Sequence, residues 1–148
     1  MRAACLAILL LTAALLVGCG DDAPAADEDD APTSSAGPAG VYDTSVALLN
    51  STCEGIDPRD ATTTVEQESG TDTIELTHAD TTYTAELADD QTFTTDAVQV
   101  QVGDQTHSLV VQGSFSEQGF RASVLATVTG GAAGPCAYEV AWVGTRQR

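Results

Sequence analysis

Two histidines, His78 and His107, are the chain's only imidazoles. A zinc site needs three or four ligands in fixed geometry. These two stand 29 positions apart, each at a strand edge among Thr, Asp or Ser. Both are expected to face solvent, and no metal is expected. Ser108, Ser114, Ser116 and Ser123 lack the G-x-S-x-G context of a nucleophile elbow. The 22 acidic residues are too many to single out a pair, because carboxylate catalysis depends on two groups held about 5–10 Å apart. Asp89, Asp90 and Asp104 fall in turns, but no D-x-D-x-D-G calcium loop occurs. No phosphate-binding glycine loop follows a strand. The residues thus point to no catalytic site and no cofactor. The aromatics Tyr42, Tyr83, Phe93, Phe115, Phe120, Tyr138 and Trp142 remain, all downstream of position 40. They can fill a core or line a ligand pocket.

The cysteines sort by position. Cys5 and Cys19 lie in the opening stretch MRAACLAILLLTAALLVGCGDD. Arg2 is a minimal basic start, and residues 3–17 form an apolar run of 15 residues. A helix crossing a bilayer needs about 20, so the run reads as a signal peptide rather than as part of the fold. Its end, Leu16-Val17-Gly18-Cys19, resembles a bacterial lipobox. The resemblance implies cleavage after Gly18, a diacylglyceryl group on the Cys19 thiol and acylation, such as palmitate, on its new amine. Two or more acyl chains hold a protein stably on a membrane, where one does not. Gly20 stands where the sorting rule of such proteins would place an inner-membrane Asp, which favours the outer membrane in a cell that has one. Cys53 and Cys136 are left, an even pair in an exported chain, and a disulfide is the expectation. There is no C-x-x-C to suggest redox chemistry.

Charge narrows the partners. The chain has no Lys, and its five basic residues are Arg2, Arg59, Arg121, Arg146 and Arg148. The formal net charge is −17. That excludes nucleic acid, which requires a basic patch, and adsorption to anionic headgroups. Solubility is the plain reading of the acidity. Residues 20–40, GDDAPAADEDDAPTSSAGPAG, hold six acids and no aliphatic side chain larger than Ala. Such a segment cannot bury a core. The organisation expected is a signal peptide over 1–18, a lipidated Cys and a disordered acidic linker over 19–40, and one domain over 41–148.

From Val41 the composition turns to Thr, Val and spaced aromatics, which favour strands. Alternation is cleanest in two places. Phe120, Ala122, Val124, Ala126 and Val128 share one face, as do Cys136, Tyr138, Val140 and Trp142. Val98, Val100 and Val102 alternate with Gln. Tyr42, Thr44, Val46 and Leu48 define a first strand, with a short helix over 45–50 as the alternative. Further strands are predicted near 62–68, 71–78, 81–87 and 92–95. Turns fall at Ser69-Gly70, Ala79-Asp80, 88–91, Gly103-Asp104, 116–119 and 130–135. Short connections favour an antiparallel meander. A bridge from the end of the first strand to the start of the last brings the two together, since bridged Cα atoms stand about 4.4–6.8 Å apart. The fold expected is a single all-β domain, a small antiparallel barrel of about eight strands closed by the Cys53–Cys136 disulfide. It is loosely similar to lipocalin-like small β-barrel lipoproteins.

The function expected is that of a monomeric, non-enzymatic binding module. It is held in the cell envelope by the lipid on Cys19, and it takes a small apolar ligand or an envelope protein. Inward alanines, Ala122 and Ala126, leave room for a cavity. The alternatives are an envelope inhibitor or surface protein acting through its acidic outer face, and an enzyme using carboxylates at a barrel mouth.

Overall fold

A computed structural model describes residues 37–132 and 134–148. The signal peptide, Cys19 and the linker up to residue 36 lie outside the described residues. Among the described residues nine strands follow one another: β1 (Gly40–Ser51), β2 (Ala61–Gln67), β3 (Thr73–His78), β4 (Thr81–Leu87), β5 (Thr92–Thr95), β6 (Val98–Val102), β7 (Gln105–Ser116), β8 (Gly119–Gly130) and β9 (Cys136–Arg146). Every pairing is antiparallel. The order is β5-β4-β3-β2-β1-β9-β8-β7-β6, and a further β5–β7 pairing closes eight strands into a barrel. The ninth strand, β6, is the extra one. Closure runs through β1 and β9, from Tyr42 opposite Arg146 to Ser51 opposite Tyr138. Cys53 and Cys136 are disulfide-bonded beside this seam, their Cα atoms 5.1 Å apart.

The alternation explains which way each strand faces. On β8, Phe120, Ala122, Val124, Ala126 and Val128 are all buried, while Arg121, Leu125 and Thr127 are exposed. Val140 and Trp142 of β9 meet them inside the barrel. The helix alternative at 45–50 does not form. β1 runs unbroken, but its pairing with β9 shifts between Leu48 and Asn50, and Leu48 is 42% exposed there. β7 carries no clean alternation. Its residues 105–110 are all half-buried, because its neighbour changes from β6 to β5 along its length.

That change of neighbour gives the barrel two unlike ends. β5 pairs with residues 112–114 of β7 and with 85–87 of β4. After Asp96 and Ala97 the chain continues as β6, which pairs with residues 105–109 of β7. Among the described residues, β6 has no second neighbour, and residues 81–84 of β4 pair only with β3. The wall therefore parts at one end, which we call the mouth.

The other end, the floor, is packed solid with aromatic rings. Tyr42 meets Phe120 at 5.2 Å between centroids, Phe115 meets Phe93 at 5.1 Å, and Phe115 meets Phe120 at 5.8 Å. Gly144 is required here. A Cβ on it would stand 2.1 Å from the Phe120 ring. The floor also captures the incoming chain. The Arg146 guanidinium donates to the carbonyls of Gly37 (2.6 Å) and Ala39 (3.1 Å) and to the Tyr42 hydroxyl (2.8 Å). Tyr42 in turn donates to the Pro38 carbonyl, and Pro38 is buried. The packed unit thus reaches back before the composition break at Val41.

Candidate ligand-binding cavity

Residues 52–60 cross the mouth as a strap. The strap begins on the closing seam, where the Thr52 N–H donates to the Ala137 carbonyl at 2.8 Å and the Ala137 N–H donates to Thr52 Oγ1 at 2.9 Å. Next to it the disulfide ties Cys53 to β9. It ends where the Val46 N–H donates to Asp60 Oδ1 at 2.8 Å, on the part of β1 that lies beyond β2. Between these pins, among the described residues, the one side-chain bond of 54–59 is Arg59 to Asp57, 3.4 Å, within the strap itself. Ile56 and Pro58 are half-buried and face the interior as its lid.

Beneath the strap lies a cavity of about 350 Å³. Ligand pockets run from about 300 to 1,000 Å³, so this one suits a small molecule. Val46, Val100, Leu109, Val124 and Val140 supply apolar wall, and Trp142, Tyr83, Tyr138, His78 and His107 supply rings with polar atoms. The parted wall matters here, because Tyr83 of β4 and Val100 of β6 both line the space between their unpaired edges.

Both histidines contradict the expectation of solvent exposure. His78 is 8% exposed and stacks on Trp142 with ring centroids 4.1 Å apart. Its Nδ1 lies 2.8 Å from Thr63 Oγ1, which lies 2.7 Å from Thr44 Oγ1. Burial lowers the His78 pKa below its ordinary value, so the ring is neutral at neutral pH. His107 is half-buried, and its Nδ1 lies 3.3 Å from the Tyr138 hydroxyl. For His78 the strand pattern carries the signal, since it continues the inward phase of Ile74 and Leu76, and its polar neighbours belong to the outward phase or to a turn. His107 stands opposite buried Val128 across the β7–β8 ladder, but its own stretch of β7 has no phase to reveal it.

The phenols are also neutral. Burial pushes Tyr83 up to about 12, with nearby Tyr138 adding to the shift. Burial raises Tyr138 as well. Thr63 beside His78 superficially pairs a hydroxyl with a base, but Thr63 is fully buried and no substrate can reach it. Asp57 is the one carboxylate in the lining, and its side chain is 78% exposed. Among the described residues, no group of three metal-ligating side chains converges. Ala122 and Ala126, expected to leave room, are buried but do not line the cavity; Val124 between them does. The room comes from the parted wall instead. A larger depression at the floor, about 490 Å³, has three carboxylates, Asp72, Asp89 and Glu117, beside Arg146 and a single aromatic, Phe115. Its apolar lining is limited to Pro38, Leu87, Ala88 and Phe115.

No protein-family model, curated protein or solved structure matches this chain.

Proposed function

We propose that this chain is a lipid-anchored envelope protein whose barrel binds a small, mostly apolar ligand under the strap. The observation that carries the binding reading is the aromatic-lined cavity of about 350 Å³ at the parted end of an otherwise filled barrel. A barrel of eight strands is just wide enough to fill itself or hold one small ligand. Here the floor half is filled, and the mouth half is not. The lipobox resemblance at residues 16–19 supports the anchor. The chain enters the barrel at the floor, through Gly37 to Ala39.

Two experiments test the two parts. Palmitate labelling of cells expressing the full chain should mark the wild type and not Cys19→Ser; equal labelling of both would end the anchor reading. Native mass spectrometry of the mature chain carrying Cys19→Ser should show an added mass that disappears on denaturation. Persistent apo protein across extracts of several envelope lipid and metabolite fractions would turn the reading towards a protein partner.

A further inference from the structure

The hydroxyl chain beneath the cavity determines which proton His78 carries. Thr63 lies directly opposite His78 across the β2–β3 ladder. Thr44, Thr63 and His78 are all buried, with 3%, 0% and 8% exposure. Each threonine hydroxyl has one proton to donate. If His78 Nδ1 donated to Thr63, Thr63 would donate to Thr44, and the Thr44 proton would have no acceptor. Among the described residues the Thr44 side chain makes no other hydrogen bond. Buried polar groups are rarely left in that state. The opposite order uses both hydroxyl protons: Thr44 donates to Thr63, and Thr63 donates to Nδ1, so the proton left over is the ring's own Nε2–H and not a hydroxyl proton on buried Thr44. Nδ1 is then the acceptor, and the neutral ring carries its hydrogen on Nε2.

That Nε2–H has no protein partner among the described residues. Among the described residues the fully buried nitrogens lacking partners are His107 Nε2 and Arg146 Nε; His78 Nε2 is not one of them, and its ring lines the cavity. The rest of the lining sets the other requirements. Trp142, stacked on His78, and Tyr83, edge-on to Trp142 at 5.9 Å, present flat aromatic surface. Asp57 and Arg59, the charged residues of the lining, pair with each other on the exposed strap. A charged ligand would enter this space without a counter-charge, which is costly.

We propose that the ligand is a neutral, flat, mostly apolar molecule bearing a hydrogen-bond acceptor, such as a ketone, ester or heteroaromatic nitrogen, received by the Nε2–H of His78. This rests on the reading of the mouth cavity as a ligand site, and the experiment separates the two.

The first measurement needs no ligand. In ¹⁵N NMR of the mature chain with Cys19→Ser at pH 7.5, His78 should show a protonated, pyrrole-like Nε2 and a pyridine-like Nδ1. The reverse pattern overturns the assignment. The second compares 1-indanone with indane, two molecules of one shape differing by a carbonyl. Trp142, the chain's sole tryptophan, reports binding by fluorescence. Indanone should bind about tenfold tighter, the gain of one net hydrogen bond. His78→Phe should erase that preference while indane still binds. Should His78→Phe misfold because Thr63 is left unpartnered, the triple variant Thr44→Val, Thr63→Val, His78→Phe removes the whole polar chain and serves instead. Equal affinities in the wild type overturn the acceptor requirement and leave the binding reading intact. If neither molecule binds, both fall.

Discussion

Burial holds the His78 pKa below its ordinary value, and that has a consequence for stability. Its folded pKa lies below the ordinary 6.5 through desolvation. As pH falls below about 6.5, the unfolded chain takes up a proton that the folded chain refuses. Stability from this residue is therefore full above 6.5 and is lost towards the lower folded pKa, at no more than about 1.4 kcal/mol per pH unit. Urea unfolding at pH 7.5 and 5.5 should show a larger loss for the wild type than for the Thr44→Val, Thr63→Val, His78→Phe variant. Equal losses would mean that His78 is hydrated in solution. The tyrosines give the alkaline counterpart. All three, Tyr42, Tyr83 and Tyr138, are raised by burial, Tyr83 to about 12. Absorbance of tyrosinate should thus lag behind that of urea-unfolded chain above pH 10, and stability should fall from pH 10 towards 12 as the unfolded phenols ionise first. Normal titration of Tyr83 or Tyr138 in the folded protein would show that the mouth cavity is wetter than its lining implies.

At the scale of elements, the strap is the part held least by the barrel ladder and most by covalent chemistry. Its middle has no hydrogen bond to the barrel among the described residues, while its start is tied by a disulfide that spans 83 positions. In the chain-entropy picture such a loop constraint is worth about 4–5 kcal/mol. Cys53→Ser with Cys136→Ser should therefore lower the unfolding free energy by about 4 kcal/mol, a large share of a typical total of about 5–15 kcal/mol. Urea denaturation measures the loss. Acrylamide should also quench Trp142 more readily in the folded double variant, because the lid above it is freed. A stability loss with unchanged quenching would confine the disulfide's role to the closing seam. The legibility of elements follows the same lines. β8 and β9 announce themselves by period two because each has a fixed neighbour on both sides and one wet face. β7 does not, because it changes neighbour midway and its burial changes with it. The disulfide was legible because composition leaves Cys53 and Cys136 no other chemistry. The cavity was not, since it arises from where β5 and β6 part, which no single strand's pattern records.

For the molecule as a whole, closure by the first and last strands could be argued from the cysteines, and burial of His78 could have been argued from the phase of Ile74 and Leu76. Charge poses a different question, because the fold does almost nothing to neutralise it. The chain carries −17, yet the ion pair among the described residues is Arg59 with Asp57, both largely exposed. Glu66 and Glu75 even stand directly opposite each other across the β2–β3 ladder, both exposed. Like charges so placed oppose pairing, and net charge far from zero strains the compact state through self-repulsion. Salt relieves repulsion of this kind, since the Debye length shrinks from about 30 Å at 0.01 M to about 3 Å at 1 M. Raising sodium chloride from 0.01 to 0.5 M should therefore stabilise the domain, on the order of 1 kcal/mol, or about 4–8 °C in Tm for a domain near 100 residues. Potassium chloride should act equally. Glu75→Lys should blunt the effect and stabilise the low-salt protein, by about 0.2–1 kcal/mol, through an opposite-charge pair with Glu66. Calorimetric scans of both forms across the salt range decide it. A Tm indifferent to salt would mean that the carboxylates are held apart or counter-ion-bound well enough to cost the fold nothing. The acidity would then be bearable without screening, and the acidic outer face would be free to serve a partner instead.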